Sequence, residues 1–227
     1  MKQTAWGLVM AVGKSERIST DIETAFLYLD DRPVLAYSLA AFMQCPEIEG
    51  IVIGVNRARA ESVLAMVQML GISKVKKIVG VGVQRTAAMA ACMGHIPEDV
   101  DLVCLHDASW PMVTPEIISQ TVVTASRHGA AVAAVELFDP VVTAKKNVFT
   151  SRVGGDERMW SVISPQTYPR AALAQAYPQA QAKRKNYSDD LAAMQAQKLE
   201  PRLVTVNTPS LRIRSSDDLQ PVLALMK

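Results

Sequence analysis

The 227-residue sequence is poor in cysteine, in aromatic residues and in net charge. Its three cysteines lie far apart among apolar neighbours, which excludes a disulfide framework or a zinc knuckle and predicts buried, reduced thiols. The three histidines show no metal-ligand spacing. With 24 Lys and Arg against 22 Asp and Glu, the chain is neither a strongly basic nucleic-acid binder nor an acidic disordered tail.

Long apolar runs are also missing. No stretch approaches the roughly 18 uninterrupted apolar residues that a membrane span needs. The N-terminus lacks the longer apolar stretch and the small-residue cleavage site of a signal peptide. The length suits one large domain over residues 1–227. We therefore expect a soluble cytoplasmic protein that contacts neither a membrane nor nucleic acid.

What the sequence does contain is a regular alternation of strand-like and helix-like segments, which is typical of α/β proteins. Runs that are apolar on both faces, such as residues 102–105, are typical of central strands covered on both sides. The pattern predicts a mostly parallel sheet with helices on both faces. The predicted strands are residues 5–11, 50–55, 75–79, 102–106 and 130–137, and the predicted helices are residues 34–43, 58–70, 85–93 and 115–127.

After residue 137 the alternation breaks. Residues 139–159 hold a proline, two lysines and a glycine pair around a β-like piece at 147–151, so we predict a protruding hairpin or a dimer arm. The remaining predicted elements are helices at 170–182 and 188–197, a strand at 202–206 and a last helix that begins at 215.

The loops after the strands are the candidate sites, because ligands of open α/β sheets bind at the carboxyl ends of the strands. Residues 11–17 read Ala-Val-Gly-Lys-Ser-Glu-Arg, a glycine-bearing turn that can offer backbone N–H groups and cations to phosphate. A nucleoside-triphosphatase P-loop needs a further glycine where Leu8 stands. A structural turn without a ligand is the alternative.

Two further loops follow strands. Asp107 ends the fourth strand, where a carboxylate can hold Mg²⁺ together with a substrate phosphate, and capping of the next turn is the alternative. Gly82 and Arg85 open a helix after the third strand, as in a nucleotide contact or in a plain turn. Ser188 begins a Ser-Asp-Asp sequence that is by default a helix cap, and Arg212 is placed to hold a phosphate or to be solvated.

In order and spacing, these pieces resemble the 2-C-methyl-D-erythritol 4-phosphate cytidylyltransferase family of the non-mevalonate isoprenoid pathway, with the ribitol-5-phosphate cytidylyltransferases as close relatives. The most specific piece is His106-Asp107-Ala108-x-x-Pro111, which is similar to the family's His-Asp-Ala-Ala-Arg-Pro. Supporting pieces occur at residues 11–17, 82–85, 164–166 and 188–189. The resemblance runs from about residue 5 to residue 219 and implies a Rossmann-like nucleotidyltransferase sheet.

The resemblance also implies a reaction: a sugar-alcohol phosphate attacks the α-phosphate of CTP, with Mg²⁺ present, and pyrophosphate leaves. It implies the nucleotide-binding residues Ala11, Val12, Gly13, Lys14, Ser15, Gly82, Arg85 and Ala88. It implies the catalytic residues Arg17 and Arg212, and the substrate-binding residues Asp107, Arg158, Ser164 and Ser188. Asp107 would also be the metal ligand, and Arg152 is an alternative to Arg158 in contacting the acceptor phosphate. A homodimer formed through the arm is expected.

The sequence departs from the family pattern at several positions, and four of them bear most directly on activity. Thr24 stands where the family has the lysine that holds the triphosphate, and Trp110 stands in place of the arginine of His-Asp-Ala-Ala-Arg-Pro. Pro140 replaces the acceptor-binding threonine, and Asp156 falls near the place of the acceptor-phosphate arginine. Two hypotheses follow: a cytidylyltransferase acting on methylerythritol phosphate or a polyol phosphate such as ribitol 5-phosphate, and a catalytically impaired member that binds a nucleotide or serves as a scaffold.

Overall fold

The computed structural model describes residues 3–13 and 23–226. The strands in these residues are, in chain order, β1 (Ala5–Met10), β2 (Tyr28–Leu29), β3 (Arg32–Pro33), β4 (Ile48–Asn56), β5 (Val75–Val81), β6 (Leu102–Asp107), β7 (Ala131–Leu137), β8 (Val142–Lys145), β9 (Val148–Arg152), β10 (Met159–Pro169) and β11 (Arg202–Thr205). The helices are α1 (Val34–Gln44), α2 (Ala60–Met69), α3 (Arg85–Met93), α4 (Pro115–His128), α5 (Arg170–Ala182), α6 (Asp190–Gln195) and α7 (Leu219–Leu225).

Seven of the described strands form one sheet in the order β11-β7-β10-β6-β1-β4-β5. Only β10 runs antiparallel to its neighbours, β6 and β7, among the strands of this sheet. The other neighbouring pairs are parallel. The predicted α/β class with a mostly parallel sheet is therefore confirmed.

Helices cover both faces of the sheet because its central strands send alternate side chains to opposite sides. In β1, Ala5 and Val9 join the core cluster that contains buried residues of α1, α2 and α4. Leu8 and Met10, one position out of phase, join the cluster that contains buried residues of α3, α5 and α6. Burial on both faces explains why this strand reads as a continuous apolar run.

The first turn of α4 illustrates how local sequence sets an element's bounds. The Thr114 side chain accepts a hydrogen bond from the Ile117 N–H at 3.4 Å, and Pro115 occupies the first turn, where its missing N–H has no consequence. Gly129 ends the helix with a φ of 90°, a conformation that favours glycine. Among the described helices, none has the length and apolar character needed to span a bilayer.

The arm predicted at residues 139–159 contains a two-stranded antiparallel hairpin, β8 and β9, whose residues are all exposed. The element that follows it is a correction to the sequence prediction, which placed no strand between the arm and residue 170. Eleven residues there form β10, which inserts between β6 and β7. The strand is hard to predict from the sequence because Ser164-Pro165-Gln166 interrupts its apolar pattern. The pairing with β7 shifts register at the same place, between Val162 and Gln166.

Candidate active site

The carboxyl ends of β1, β5 and β6 meet at one edge of the sheet, where Gly13, Gly82 and Asp107 lie. Two cavities open at this edge. The first, of about 210 Å³, is lined by Asp107 among other residues, and we call it the Asp107 cavity. The second, of about 550 Å³, is lined by Gly13 and the start of α3, and we call it the Gly13 cavity. Arg85 and Ser188 line both cavities, so the two are adjacent.

Asp107 lies between two arginines. Its Oδ1 is 2.8 Å from a terminal nitrogen of Arg85, and its Oδ2 is 3.8 Å from a terminal nitrogen of Arg212. The three side chains are each about one-fifth exposed. Arg212 also donates from Nε to the hydroxyl of buried Ser109 at 3.0 Å, which ties it to the loop after β6. The structure therefore brings together Asp107, Arg85 and Arg212, three residues predicted from the sequence to bind phosphate or metal.

Arg85 is held from its other side by Asp190, the first residue of α6. Arg85 donates from Nε to Asp190 Oδ1 at 3.1 Å and from a terminal nitrogen to Oδ2. The buried phenol of Tyr177, in α5, donates to the same carboxylate. Burial alone would lower the pKa of Arg85, but the charges of Asp107 and Asp190 outweigh it and raise that pKa above its ordinary value. Burial would raise the pKa of Asp190, and Arg85 lowers it instead, so both groups stay charged.

The backbone of Asp107 is fixed by a buried histidine and two serines. The Asp107 N–H donates to the hydroxyl of Ser164 at 3.0 Å, and that hydroxyl lies 2.8 Å from Nδ1 of His106. Nε2 of His106 lies 3.0 Å from the hydroxyl of Ser38. Burial lowers the pKa of His106 to about 3, so the ring is neutral at physiological pH. In the neutral ring one nitrogen carries a proton and the other accepts, and the serine hydroxyls on the two sides can each act as donor or acceptor, so both tautomers are served.

Replacing Ser164 with alanine is expected to destabilise the fold by about 1–3 kcal/mol, because it leaves the Asp107 N–H and His106 Nδ1 without this partner in a buried place. Urea denaturation followed by far-UV circular dichroism measures the loss. Ser188→Ala is the matched control, since the Ser188 hydroxyl is exposed and bonds to its neighbour Asp189. Equal stability of the two variants would contradict a structural role for Ser164.

Trp110 lies where the family pattern has an arginine, and the structure turns it into the core. The side chain is 8% exposed, packs with Ile117, Ile163 and Val206, and forms part of the lining of the Asp107 cavity. Thr24, in place of the family's lysine, is fully buried as well. Neither position presents a cation to the cavities. At both positions a buried side chain stands where the family pattern has a charged one.

The Gly13 cavity holds the predicted nucleotide loops. Gly13 has a φ of 144°, in the range that side chains rarely adopt, and the cavity continues along Val83 and Gln84 to the first turn of α3. A Cβ added at neighbouring Gly82 would meet nothing within 4 Å, so that backbone is open to approach. Ser188 lines both this cavity and the Asp107 cavity.

Other predicted site residues are placed away from the cavities. Ala11, Val12 and Ala88 are buried in the core clusters, so only their backbones could serve a ligand. Arg158 lies at the base of the arm, 77% exposed and 3.5 Å from Glu136. The predicted roles of Lys14, Ser15 and Arg17 lie outside the described residues.

Sequence reasoning missed two residues of the site, Asp190 and Tyr177. The Ser-Asp-Asp sequence was interpreted as a cap, and Asp189 does cap α6, accepting from the Ala192 N–H at 2.8 Å. Asp189 alone is enough for that cap. The second acidic residue, Asp190, is therefore the one sign in the sequence that a further cationic partner could lie nearby. Nothing in the sequence of α5 singles out Tyr177.

Among the described residues, no group of three or more histidine, cysteine or acidic side chains is arranged to hold a metal ion. Asp107 is nevertheless a fitting single ligand. Its carboxylate is partly exposed at a strand end, and its Oδ2 lies 3.8 Å from Arg212, a longer contact than the one between Oδ1 and Arg85. Mg²⁺ is usually held by one or two carboxylates completed by substrate phosphates and water, so this donor set suits a metal that arrives with a nucleotide.

The fold and the site define an α/β nucleotidyltransferase type of protein: a mostly parallel sheet with glycine loops and a carboxylate between arginines at the ends of its strands. A sequence model of the family "IspD: 2-C-methyl-D-erythritol 4-phosphate cytidylyltransferase" matches residues 6–227. The chain belongs to this family.

Individual relatives agree with the family match. The chain is similar to the 2-C-methyl-D-erythritol 4-phosphate cytidylyltransferase of Halalkalibacterium halodurans, with 30% identity over 83% of this chain and 82% of the relative. It is 28% identical to the protein of that name from Desulforamulus reducens, over 97% of this chain and 94% of the relative. The crystal structure of 4-diphosphocytidyl-2C-methyl-D-erythritol synthase from Anaerococcus prevotii superposes with a TM-score of 0.83 at 15% identity, over 99% of this chain and 96% of that one, and supports the fold.

Proposed function

We propose that this chain transfers the cytidylyl group of CTP to 2-C-methyl-D-erythritol 4-phosphate and releases pyrophosphate. The observation that carries the proposal is the placement of Asp107 between Arg85 and Arg212, beside the Gly13 cavity, in a chain that matches the family over nearly its whole length. A phosphate oxygen of the acceptor forms a bond to the α-phosphorus of CTP, and the bond from that phosphorus to the bridging oxygen of pyrophosphate breaks.

The residues of the site act mainly by placing charge, because phosphoryl transfer needs positioning and charge neutralisation more than covalent help. The Gly13 loop and the first turn of α3 offer backbone N–H groups to the triphosphate. Arg212 and Arg85, which line the Asp107 cavity, would neutralise charge on the reacting phosphates. Asp107 would hold Mg²⁺, which supplies neutralisation of the charge that develops on the transferring phosphate.

Two measurements test the proposal: pyrophosphate release, and the stabilisation of the protein by different nucleotides. Pyrophosphate release is measured with CTP, Mg²⁺ and either methylerythritol phosphate or ribitol phosphate as acceptor. We expect release with methylerythritol phosphate, and the absence of release with this acceptor would contradict the proposal, whatever the result with ribitol phosphate. In a thermal-shift panel of nucleotides, CTP at about a hundredfold its dissociation constant should stabilise the protein by about 2.7 kcal/mol.

Thr24 and Trp110 favour a second candidate, a family member that binds CTP without turning it over. Both positions lack the family's cation, and both side chains are buried, so no local movement of these residues restores the charge. This candidate predicts CTP-dependent stabilisation together with no pyrophosphate release. The same two measurements therefore separate the candidates.

A homodimer formed through the arm is part of the proposal. The arm and its base expose large apolar side chains: Phe138 is 89% exposed, Val148 66% and Phe149 64%. Such a group of exposed apolar residues on a protruding hairpin is typical of an interaction surface. In a dimer these side chains would be covered, and the arm of one protomer would lie near the site of its partner.

We expect the wild type to sediment as a dimer at micromolar concentration and Phe149→Glu to shift it toward monomer, because a carboxylate would be buried in the interface. Analytical ultracentrifugation gives the two masses. Met69→Glu, at an apolar residue of α2 that is 78% exposed, is the control and should leave the dimer intact. A monomeric wild type would contradict the proposed assembly.

A further inference from the structure

Arg85 lies between the two cavities, since it lines both the Asp107 cavity and the Gly13 cavity, as Ser188 does. Its guanidinium is about one-fifth exposed. A change in its position would therefore alter the space and the charge on both sides at once. The residues that hold the Arg85 guanidinium in place therefore influence both cavities as well.

All three guanidinium nitrogens of Arg85 face carboxylates. Nε and one terminal nitrogen contact the two oxygens of Asp190, and the other terminal nitrogen contacts Asp107 at 2.8 Å. A two-point contact between a planar guanidinium and a carboxylate sets the plane of the group as well as its position. Asp190 thus determines which nitrogen of Arg85 is left for Asp107.

The position of Asp190 is itself fixed by its surroundings. It is 5% exposed, its backbone begins α6, and Tyr177 of α5, which is 1% exposed, donates its phenol to Oδ1. Because Asp189 provides the cap of α6, the carboxylate of Asp190 is not needed to start the helix. A buried carboxylate without a capping role, paired with an arginine at the cavity wall, is placed to orient that arginine.

We propose that Asp190 is a positioning residue which, with Tyr177, holds Arg85 in the wall between the two cavities and limits its contact with Asp107 to one nitrogen. This inference rests on the proposed function, because the metal and the phosphates it concerns belong to that reaction. Without the charge of Asp190, the guanidinium of Arg85 would rotate and direct two nitrogens to Asp107, the nearest remaining carboxylate. It would then compete with Mg²⁺ for that side chain.

Kinetics of Asp190→Asn and Tyr177→Phe test the proposal. We expect Asp190→Asn to lower kcat/KM about ten- to a hundredfold and to raise the Mg²⁺ concentration needed for half-maximal rate. Tyr177→Phe should act in the same direction with a smaller change. Tyr37→Phe is the control and should leave both values at the wild-type level, because the Tyr37 phenol donates to the Leu29 carbonyl and Tyr37 lines neither cavity.

A merely structural role gives a different result. Asp190→Asn would then lower the melting temperature and the fraction of active protein, while the KM for CTP and the Mg²⁺ requirement of the folded fraction stayed at wild-type values. That result would overturn the proposal. A raised Mg²⁺ requirement in a variant that is fully folded by circular dichroism supports it.

A second readout does not depend on turnover. In arginine side-chain ¹H–¹⁵N NMR spectra, the Nε–H of Arg85, assigned by its loss in Arg85→Lys, should be shifted downfield and exchange slowly with water. In Asp190→Asn this signal should move to the ordinary position. If the wild type gives no turnover with CTP, the proposed function fails while this signal still tests the positioning. An Arg85 signal unchanged by Asp190→Asn would overturn the inference.

Discussion

Trp110→Ala is expected to lower the free energy of unfolding by about 3–5 kcal/mol, the usual cost of truncating a buried large aromatic residue. The indole is 8% exposed and packs against Ile117, Ile163 and Val206, so its removal leaves a cavity where α4, β10 and the end of β11 meet. Urea denaturation followed by far-UV circular dichroism measures the change without relying on the tryptophan that has been removed.

Tyr28→Ala is the control for this prediction. Tyr28 is an aromatic residue of β2, outside the arm and 68% exposed, and its truncation should change the stability by less than about 0.5 kcal/mol. A loss below about 1 kcal/mol in Trp110→Ala would show that the indole is not a core residue. Trp110→Arg, which would match the family pattern, is expected to destabilise as well, because it buries a charge among apolar side chains.

Asp107→Asn is expected to reduce kcat/KM about a hundredfold or more with little change in stability. The substitution keeps the shape of the side chain but removes the charge between Arg85 and Arg212. It also removes the carboxylate that would hold Mg²⁺. Steady-state rates with CTP and methylerythritol phosphate, measured over a range of Mg²⁺, give both the loss and its dependence on metal.

Asp101→Asn is the matched control at the other end of the same strand. Asp101 precedes β6 and accepts the Thr4 N–H at 2.9 Å, away from both cavities. It should leave kcat/KM near the wild-type value. A rate for Asp107→Asn within about threefold of wild type, a difference of less than 1 kcal/mol, would contradict the role given to Asp107.

The fold was largely predictable because the central strands are buried on both faces. Such strands read as short apolar runs without any knowledge of their partners, as β1 and β6 do. β10 could not be predicted in this way. Its place between β6 and β7 is a long-range pairing, and the Ser164-Pro165-Gln166 interruption resembles a loop when only the local sequence is considered.

The site was predictable where it depends on strand ends. Asp107 ends a strand, Gly82 and Gly13 follow strands, and the parallel arrangement brings all three to one edge. The burial of Asp190 against Tyr177 depends on how α5 packs beside α6, which local sequence does not express. The inward turn of Trp110 likewise depends on the space under β10 and β11. The roles assigned to Lys14, Ser15 and Arg17 stay predictions.

The most direct test of the proposed activity is ³¹P NMR of one reaction that contains the wild-type chain, CTP, methylerythritol phosphate and Mg²⁺. The account predicts the loss of the CTP signals, the appearance of free pyrophosphate and a pair of coupled signals from the new diphosphate linkage. The intensity of the new diphosphate signals should fall sharply in a parallel reaction with Asp107→Asn. Unchanged CTP in the presence of an equimolar amount of the folded wild-type protein would contradict it.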